Sequence, residues 1–284
     1  MKRKFKLVIL LLNLILLNNI SAIPHYFCTC ADNNFFDRVI RLIDSINKND
    51  HEFVEKILVF DLGFTKPQEL ILKQKPHVYL RALNNIHPNI LRPFKTDTNR
   101  FVRGWFAWKP VAIKQALEEC PYILYADSAV EVFKPLDDLF QYIIQEGYFL
   151  MDTDSHPIEP RLTKKVRDEL IKHFSGDWQL AMLDHDTKFL AACIQGLTRQ
   201  VLDSYVLPVY KLTSNLELFQ DDGTAPMGFG SGRHDQTLFS IFARLNGMRL
   251  HRPGWLNIQL NRKSIPIHVH WDINKINKYS CLKF

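Results

Sequence analysis

Short apolar runs alternate with amphipathic segments along most of this chain. Residues 24–29, 56–60, 77–80 and 122–126 are brief apolar stretches that read as strands. Between the first two, Phe36, Val39, Ile40, Ile43 and Ile46 recur at helical spacing and predict a helix over 35–47. Pro67 opens a short helix over 67–75, and Pro110 sits near the start of another over 108–117. The segment 84–103 lacks periodicity and reads as a loop. Further on, strands are expected at 130–133, 148–151 and 265–271, and helices at 136–145, 162–174, 196–210 and from His234 onward. A Gly-rich loop spans 221–233, long enough to suggest function. Strand–helix alternation of this kind implies one α/β domain over 23–284. Its sheet should be mixed and mostly parallel, Rossmann-like, with helices on both faces.

The first 22 residues follow a different pattern. Lys2, Arg3, Lys4 and Lys6 precede a Leu/Ile-rich run over 7–17, and Ser21-Ala22 offers small residues for cleavage. That is the form of a signal peptide. The apolar run is short of the roughly 20 residues that span a membrane comfortably. Uncleaved, residues 7–17 would be the one contact with a membrane, as a signal anchor.

The chain has 284 residues, 46% hydrophobic and 23% charged, as an ordinary globular protein does. Its net charge of +6 falls to about +2 without the four basic residues of the amino terminus. No basic stripe interleaved with aromatics remains, which argues against nucleic-acid binding. Five cysteines are too few and too scattered for a disulfide scaffold, and buried free thiols are expected.

The candidate chemistry begins at Asp127. It ends the apolar run Tyr122-Ile-Leu-Tyr-Ala, and the carboxyl end of a central strand in an α/β sheet borders the ligand crevice. Asp127 could hold a metal or a sugar hydroxyl there, or simply cap a turn. Lys109 and Arg103 are cationic candidates for a phosphate. Trp105 and Trp108 could stack on a ligand, although core packing is the plainer role. Asp32 and Asn33 could cap the helix that follows them. Asp61, before Gly63, could be a turn residue. Asp235 stands in the first turn of its helix, where an acidic residue suits the helix dipole. After a Gly-rich approach it could also meet a ligand. Asp152 and Asp154 share the spacing of a carboxylate pair.

These motifs, in this order, resemble the GT-A-fold glycosyltransferases. The Ala31-Asp32-Asn33 loop and Ile57-Leu-Val-Phe-Asp61 are similar to their nucleotide-sugar half. Trp108-Lys-Pro followed by Ile-Leu-Tyr-Ala-Asp127 resembles the approach to their Asp-x-Asp site. Arg233-His-Asp-Gln resembles a later Asp-Gln helix, and His268-Val-His270 a late metal histidine. The resemblance implies donor contacts from Ala31, Asp32, Asn33, Asp61, Arg103, Lys109, Asp127 and Gln236. It implies catalytic roles for Asp127 and Asp235, with Asp235 as base if the enzyme inverts. Mn²⁺ or Mg²⁺ would be held by Asp127 with His268 or His270. The donor would be a nucleotide-diphosphate sugar, and the acceptor a hydroxyl of a glycan, lipid or protein. One position departs from the pattern: the second carboxylate is replaced by Ala129. That leaves open a non-catalytic carbohydrate- or nucleotide-binding relative, or a metal-dependent hydrolase built on the two histidines.

Overall fold

The computed structural model describes residues 23–84, 86–96, 101–153, 158–173, 189–230, 232, 234–251 and 267–269. The amino-terminal 22 residues and His270 lie outside the described residues. None of the described helices is long and apolar enough to cross a membrane.

A six-stranded sheet forms the centre, in the order β3-β2-β1-β6-β9-β8. Its strands are β1 (His25–Ala31), β2 (Val54–Asp61), β3 (Val78–Ala82), β6 (Tyr122–Ala126), β8 (Tyr148–Asp152) and β9 (Leu190–Thr198). The first four in chain order run parallel, and β9 runs antiparallel to both β6 and β8. Because β1, β2 and β6 are parallel neighbours, Ala31, Asp61 and Asp127 emerge at one edge of the sheet.

Two apolar layers cover it. Helices α1 (Phe36–Asn49) and α4 (Asp137–Glu146) bring Val39, Ile43, Ile46, Phe140 and Ile143 to one face. Helices α3 (Trp108–Glu119), α6 (Leu207–Leu212) and α7 (Asp235–Leu245) bring Val111, Ile113, Val209, Leu238 and Phe239 to the other. The strands serve both layers with a period of two. In β6, Leu124 and Ala126 join the first layer, and Ile123 and Tyr125 the second. Tyr125 therefore points toward α3 and α7, and so does the chain position two residues later. Two further helices, α2 (Lys66–Lys73) and α5 (Lys164–His173), complete the α-helices among the described residues.

The helix expected over 196–210 forms as successive helical turns over 199–212, and its start is corrected. Residues 190–198 form a strand, and helical turns begin only at Arg199. Each residue of β9 is buried, since the strand lies between two others and under both layers. Such a strand shows no alternation in sequence. Gly196 is needed in it: a Cβ there would lie 2.4 Å from the Ile143 side chain. The expected loop at 84–103 holds a small antiparallel pair, β4 (Pro93–Lys95) with β5 (Phe101–Arg103). The strand expected at 130–133 forms as β7 (Val130–Val132). It leaves the main sheet and pairs antiparallel with β10 (Ile267–Val269), setting His268 opposite Glu131. The four described cysteines, Cys28, Cys30, Cys120 and Cys193, are buried free thiols, as expected.

Candidate functional site

Three elements meet at the carboxyl end of β6. The amide of Asp127 donates to Cys193 O at 2.9 Å, tying the turn after β6 to β9. Tyr125, on the same face two residues earlier, donates its hydroxyl to Asp127 Oδ1 at 2.6 Å. From the first turn of α3, Lys109 Nζ reaches 3.1 Å from Asp127 Oδ1 and 3.4 Å from Oδ2. It donates to Ala192 O at 3.2 Å. From the first turn of α7, Asp235 Oδ2 stands 2.9 Å from the same ammonium. This last approach is a close charge contact rather than an aligned hydrogen bond. One ammonium thus joins two carboxylates brought from opposite halves of the chain. Gln236, beside Asp235, donates to Leu190 O and fastens α7 to β9.

Burial differs sharply within this clamp. The Lys109 and Asp235 side chains are 4% and 7% exposed, whereas Asp127 is 32% exposed. Asp127 is the carboxylate that reaches solvent. Burial opposes the Lys109 charge, but Asp127 and Asp235 outweigh it and hold the ammonium above its ordinary range. Burial pushes Asp235 upward, and Lys109 pulls it partly back. Tyr125 is pushed well above 10 by burial and then by the neighbouring Asp127 charge. The Tyr125 and Trp108 rings also face the ammonium, 5.3 and 6.0 Å from their centroids.

The backbone leading to Lys109 is unusual. Gly104, Trp105 and Phe106 have φ of 49°, 51° and 65° in succession. Left-handed conformation costs a non-glycine residue roughly 1–2 kcal/mol. At Gly104 the close approach leaves no choice, because a Cβ would fall 1.9 Å from Ile90 O. His234, just before Asp235, also has positive φ, 53°. Its ring stacks on Trp105 and leans on Phe106, and its Nδ1 meets Phe219 O at 2.7 Å. The strained approaches to α3 and α7 therefore brace each other. Strain of this kind concentrates at functional sites. Trp105 and Trp108 are both buried, which is the core-packing role.

A second group of expected residues sits at the neighbouring strand ends. Asp32 accepts from Asn34 N at 2.9 Å as a helix cap and from Arg103 Nε at 2.6 Å as an ion pair. Arg103 also donates to Leu91 O, and its Nη2 end lies beside Gly63. Asp61 Oδ1 accepts from Gly63 N and Phe64 N, both at 2.7 Å, which makes it a turn former. Asn33 is exposed, and its amide donates to Gly63 O at 3.2 Å. Ala31 is buried, with its carbonyl accepting from Leu62 N. The expected residues thus form two groups on adjacent strands: Lys109, Asp127, Asp235 and Gln236, then Ala31, Asp32, Asn33, Asp61 and Arg103. Asp152 is buried at the end of β8, and Asp154 lies outside the described residues.

A divalent ion needs several hard oxygen ligands with room to approach. Among the described residues, no three His, Cys, Asp or Glu side chains gather to hold a metal. The space between Asp127 and Asp235 already contains the Lys109 ammonium. Asp127, Asp235 and Lys109 do not by themselves make a divalent-ion site in this arrangement, and the His268 side chain and His270 lie outside the described residues. The backbone of β10 does come alongside β7, whose first residue Val130 donates to Asp127 O at 2.9 Å.

Sequence reasoning missed Tyr125, Ala192 and Cys193. Tyr125 was detectable as the i−2 partner of Asp127 on one strand face. The other two stayed hidden with the unrecognised strand β9.

A mostly parallel sheet with this order, with the candidate residues at the carboxyl ends of β1, β2 and β6, is a GT-A-like α/β fold. Solved structures show the same fold. Core-mannan synthase A (CmsA/Ktr4) from Aspergillus fumigatus, in its Mn/GDP form, matches with a TM-score of 0.50 and 11% identity, over 79% of this chain and 70% of that one. The mannosyltransferase Ktr4p from S. cerevisiae in complex with GDP matches with a TM-score of 0.50 and 12% identity, over 87% of this chain and 71% of that one. The chain spans only 38% of the WbbM bifunctional glycosyltransferase, at a TM-score of 0.47 and 14% identity. No protein-family model and no curated protein matches the sequence.

Proposed function

We propose that this chain is a glycosyltransferase that moves a sugar from a nucleotide-diphosphate sugar to a hydroxyl acceptor. The observation that supports it is the carboxylate of Asp127, fixed at the carboxyl end of the interior strand β6 and one-third exposed. In the reaction the acceptor oxygen bonds to the anomeric carbon as the bond to the diphosphate oxygen breaks. The nucleotide diphosphate leaves with the bonding pair, and the acceptor hydroxyl passes its proton to the departing diphosphate oxygen. Asp127 accepts a hydrogen bond from a sugar hydroxyl in the crevice. Asp235 is too enclosed to take a proton from an acceptor, so its part is to position Lys109 and, through it, Asp127. Arg103, with its Nη2 end left over from the pair with Asp32, is the cation for the diphosphate. Asp32, Asn33 and Asp61 shape the loops on which the nucleotide rests.

The amino-terminal pattern supports action in a secretory lumen, with residues 1–22 as a signal peptide or anchor. The acceptor is a hydroxyl of a glycan, lipid or protein.

Release of UDP or GDP from a panel of nucleotide sugars, with simple glycan acceptors, tests the proposal. Asp127→Asn should lower kcat by about 10²–10³-fold, the scale of one lost electrostatic contact. Ala129 in place of a second carboxylate favours one rival, a nucleotide-sugar-binding relative. Binding without turnover across the whole panel would establish that rival.

A further inference from the structure

We propose that Lys109 stands in for the divalent ion at this site, gathering Asp127 and Asp235 by a tethered ammonium, so that the site is built without Mn²⁺ or Mg²⁺.

The geometry is that of a filled cation site. Lys109 Nζ has Asp127 Oδ1 and Oδ2 at 3.1 and 3.4 Å, Asp235 Oδ2 at 2.9 Å and Ala192 O at 3.2 Å. Two carboxylates and a backbone carbonyl are the oxygens a hard cation takes. Here they surround the ammonium at 2.9–3.4 Å. The ammonium comes from the first turn of α3, where the helix dipole disfavours a positive charge. Helix propensity therefore does not explain Lys at this position, whereas the two carboxylates do. Placing it also requires three successive left-handed residues, two of them aromatic. The missing second carboxylate fits the same account. A divalent ion draws on both acids of an Asp-x-Asp pair, but an ammonium already held by Asp235 and a carbonyl does not need Ala129 to be acidic. Two carboxylates and one ammonium leave the cluster at −1. That charge repels phosphate and attracts hydroxyl donors. The clamp thus serves the sugar end of a donor, and diphosphate recognition falls to Arg103, an assignment that rests on the proposed glycosyl transfer.

The test begins with metal alone. Mn²⁺ is titrated into the metal-stripped full chain and followed by the loss of its free electron-paramagnetic-resonance signal. The wild type should bind no Mn²⁺ that depends on Asp127. Lys109→Ala should gain a site, with affinity at least about tenfold higher than wild type. Adding Asp127→Asn should remove that site again. Wild-type Mn²⁺ binding that Asp127→Asn abolishes overturns the proposal. If Lys109→Ala does not fold, a second measurement on the wild type decides. Affinity for UDP or GDP should be the same in EDTA and in Mn²⁺, and a drop of more than about tenfold in EDTA overturns the proposal. If neither nucleotide binds under any condition, the transferase reading fails, and the Mn²⁺ titration of the bare protein still decides the role of Lys109.

Discussion

Replacing Lys109 with Met removes the one charge that separates two acids while keeping most of the buried side-chain volume. In the wild type the ammonium lies 2.9 Å from Asp235 and 3.1 Å from Asp127. Asp127 is about one-third exposed and can recover solvation, so its share of the loss is small. Asp235 is 7% exposed and cannot. Breaking a buried ion pair from one side costs about 3–5 kcal/mol, because a charge is left without compensation. That is a large part of a total stability of about 5–15 kcal/mol. At about 2–4 °C per kcal/mol for a domain of this size, Tm should fall by about 6–20 °C. The pH dependence supplies a sharper check. Burial already raises the pKa of Asp235 in the folded state, and without Lys109 it rises further. A carboxylate with a raised folded pKa stabilises the fold below its unfolded value, near ~3.9, and that contribution is lost as pH climbs through the folded value. The gap between wild type and Lys109→Met should therefore be widest at neutral pH and narrow toward pH ~4.5. Adding Asp235→Asn should restore about half of the loss or more. Urea unfolding followed by circular dichroism at both pH values measures all of this. A loss below about 1 kcal/mol at neutral pH, or a gap indifferent to pH, refutes the buried clamp.

Gly104→Ala sets a Cβ against Ile90 O at a left-handed backbone position and should cost at least ~3 kcal/mol, read as a fall in Tm. A loss under ~1 kcal/mol would mean that the turn before α3 is free to move. Arg103→Ala leaves Asp32 half-paired at the end of β1 and should cost about 1–2 kcal/mol in urea unfolding, after allowance for solvent at the guanidinium. The same substitution should weaken nucleotide diphosphate binding, and an unchanged affinity by calorimetry would remove Arg103 from the phosphate site. Tyr125 and Tyr205 are both pushed well above 10 by burial. Absorbance at the tyrosinate band should show these two ionising only as the chain unfolds in alkali. The sign agrees with a stability that declines from about pH 10 upward, as unfolded tyrosines ionise and buried ones do not. A full, reversible tyrosinate titration with the fold intact would contradict it.

Where local pattern and final environment agree, the chain was readable. The strands β1, β2, β3 and β6 are bounded by polar loops, and α1 carries its buried residues at helical spacing, so both appear in the sequence near their true limits. Asp127 was visible because an apolar run that ends in a carboxylate marks a strand tip. Asp235 was visible because a Gly-rich stretch leads into its helix. The failures share one cause. Strand β9 is enclosed on both faces and at both edges, so even its polar Gln195 and Thr198 are buried and no alternation marks it as a strand. The pairing of Lys109 with Asp235 depends on how two helices lie on the sheet, and spacing does not encode that. The partners of Gln236 and Arg103 within the chain, Leu190 O and Asp32, are likewise set by tertiary placement that spacing does not encode.

The clamp has a consequence for how the chain matures. Lys109 and Ala192 are 83 positions apart, and Asp235 comes later still. A nascent polypeptide that has produced β1 through β6 possesses the crevice wall but only half of its charge arrangement. The grip closes once β9 has inserted beside β6 and α7 has docked over it. Any shortened product ending before that helix keeps Lys109 facing Asp127 without the opposing acid. The charge arrangement at this strand end therefore requires α7 to be docked, and a readout of the clamp doubles as a readout of that docking.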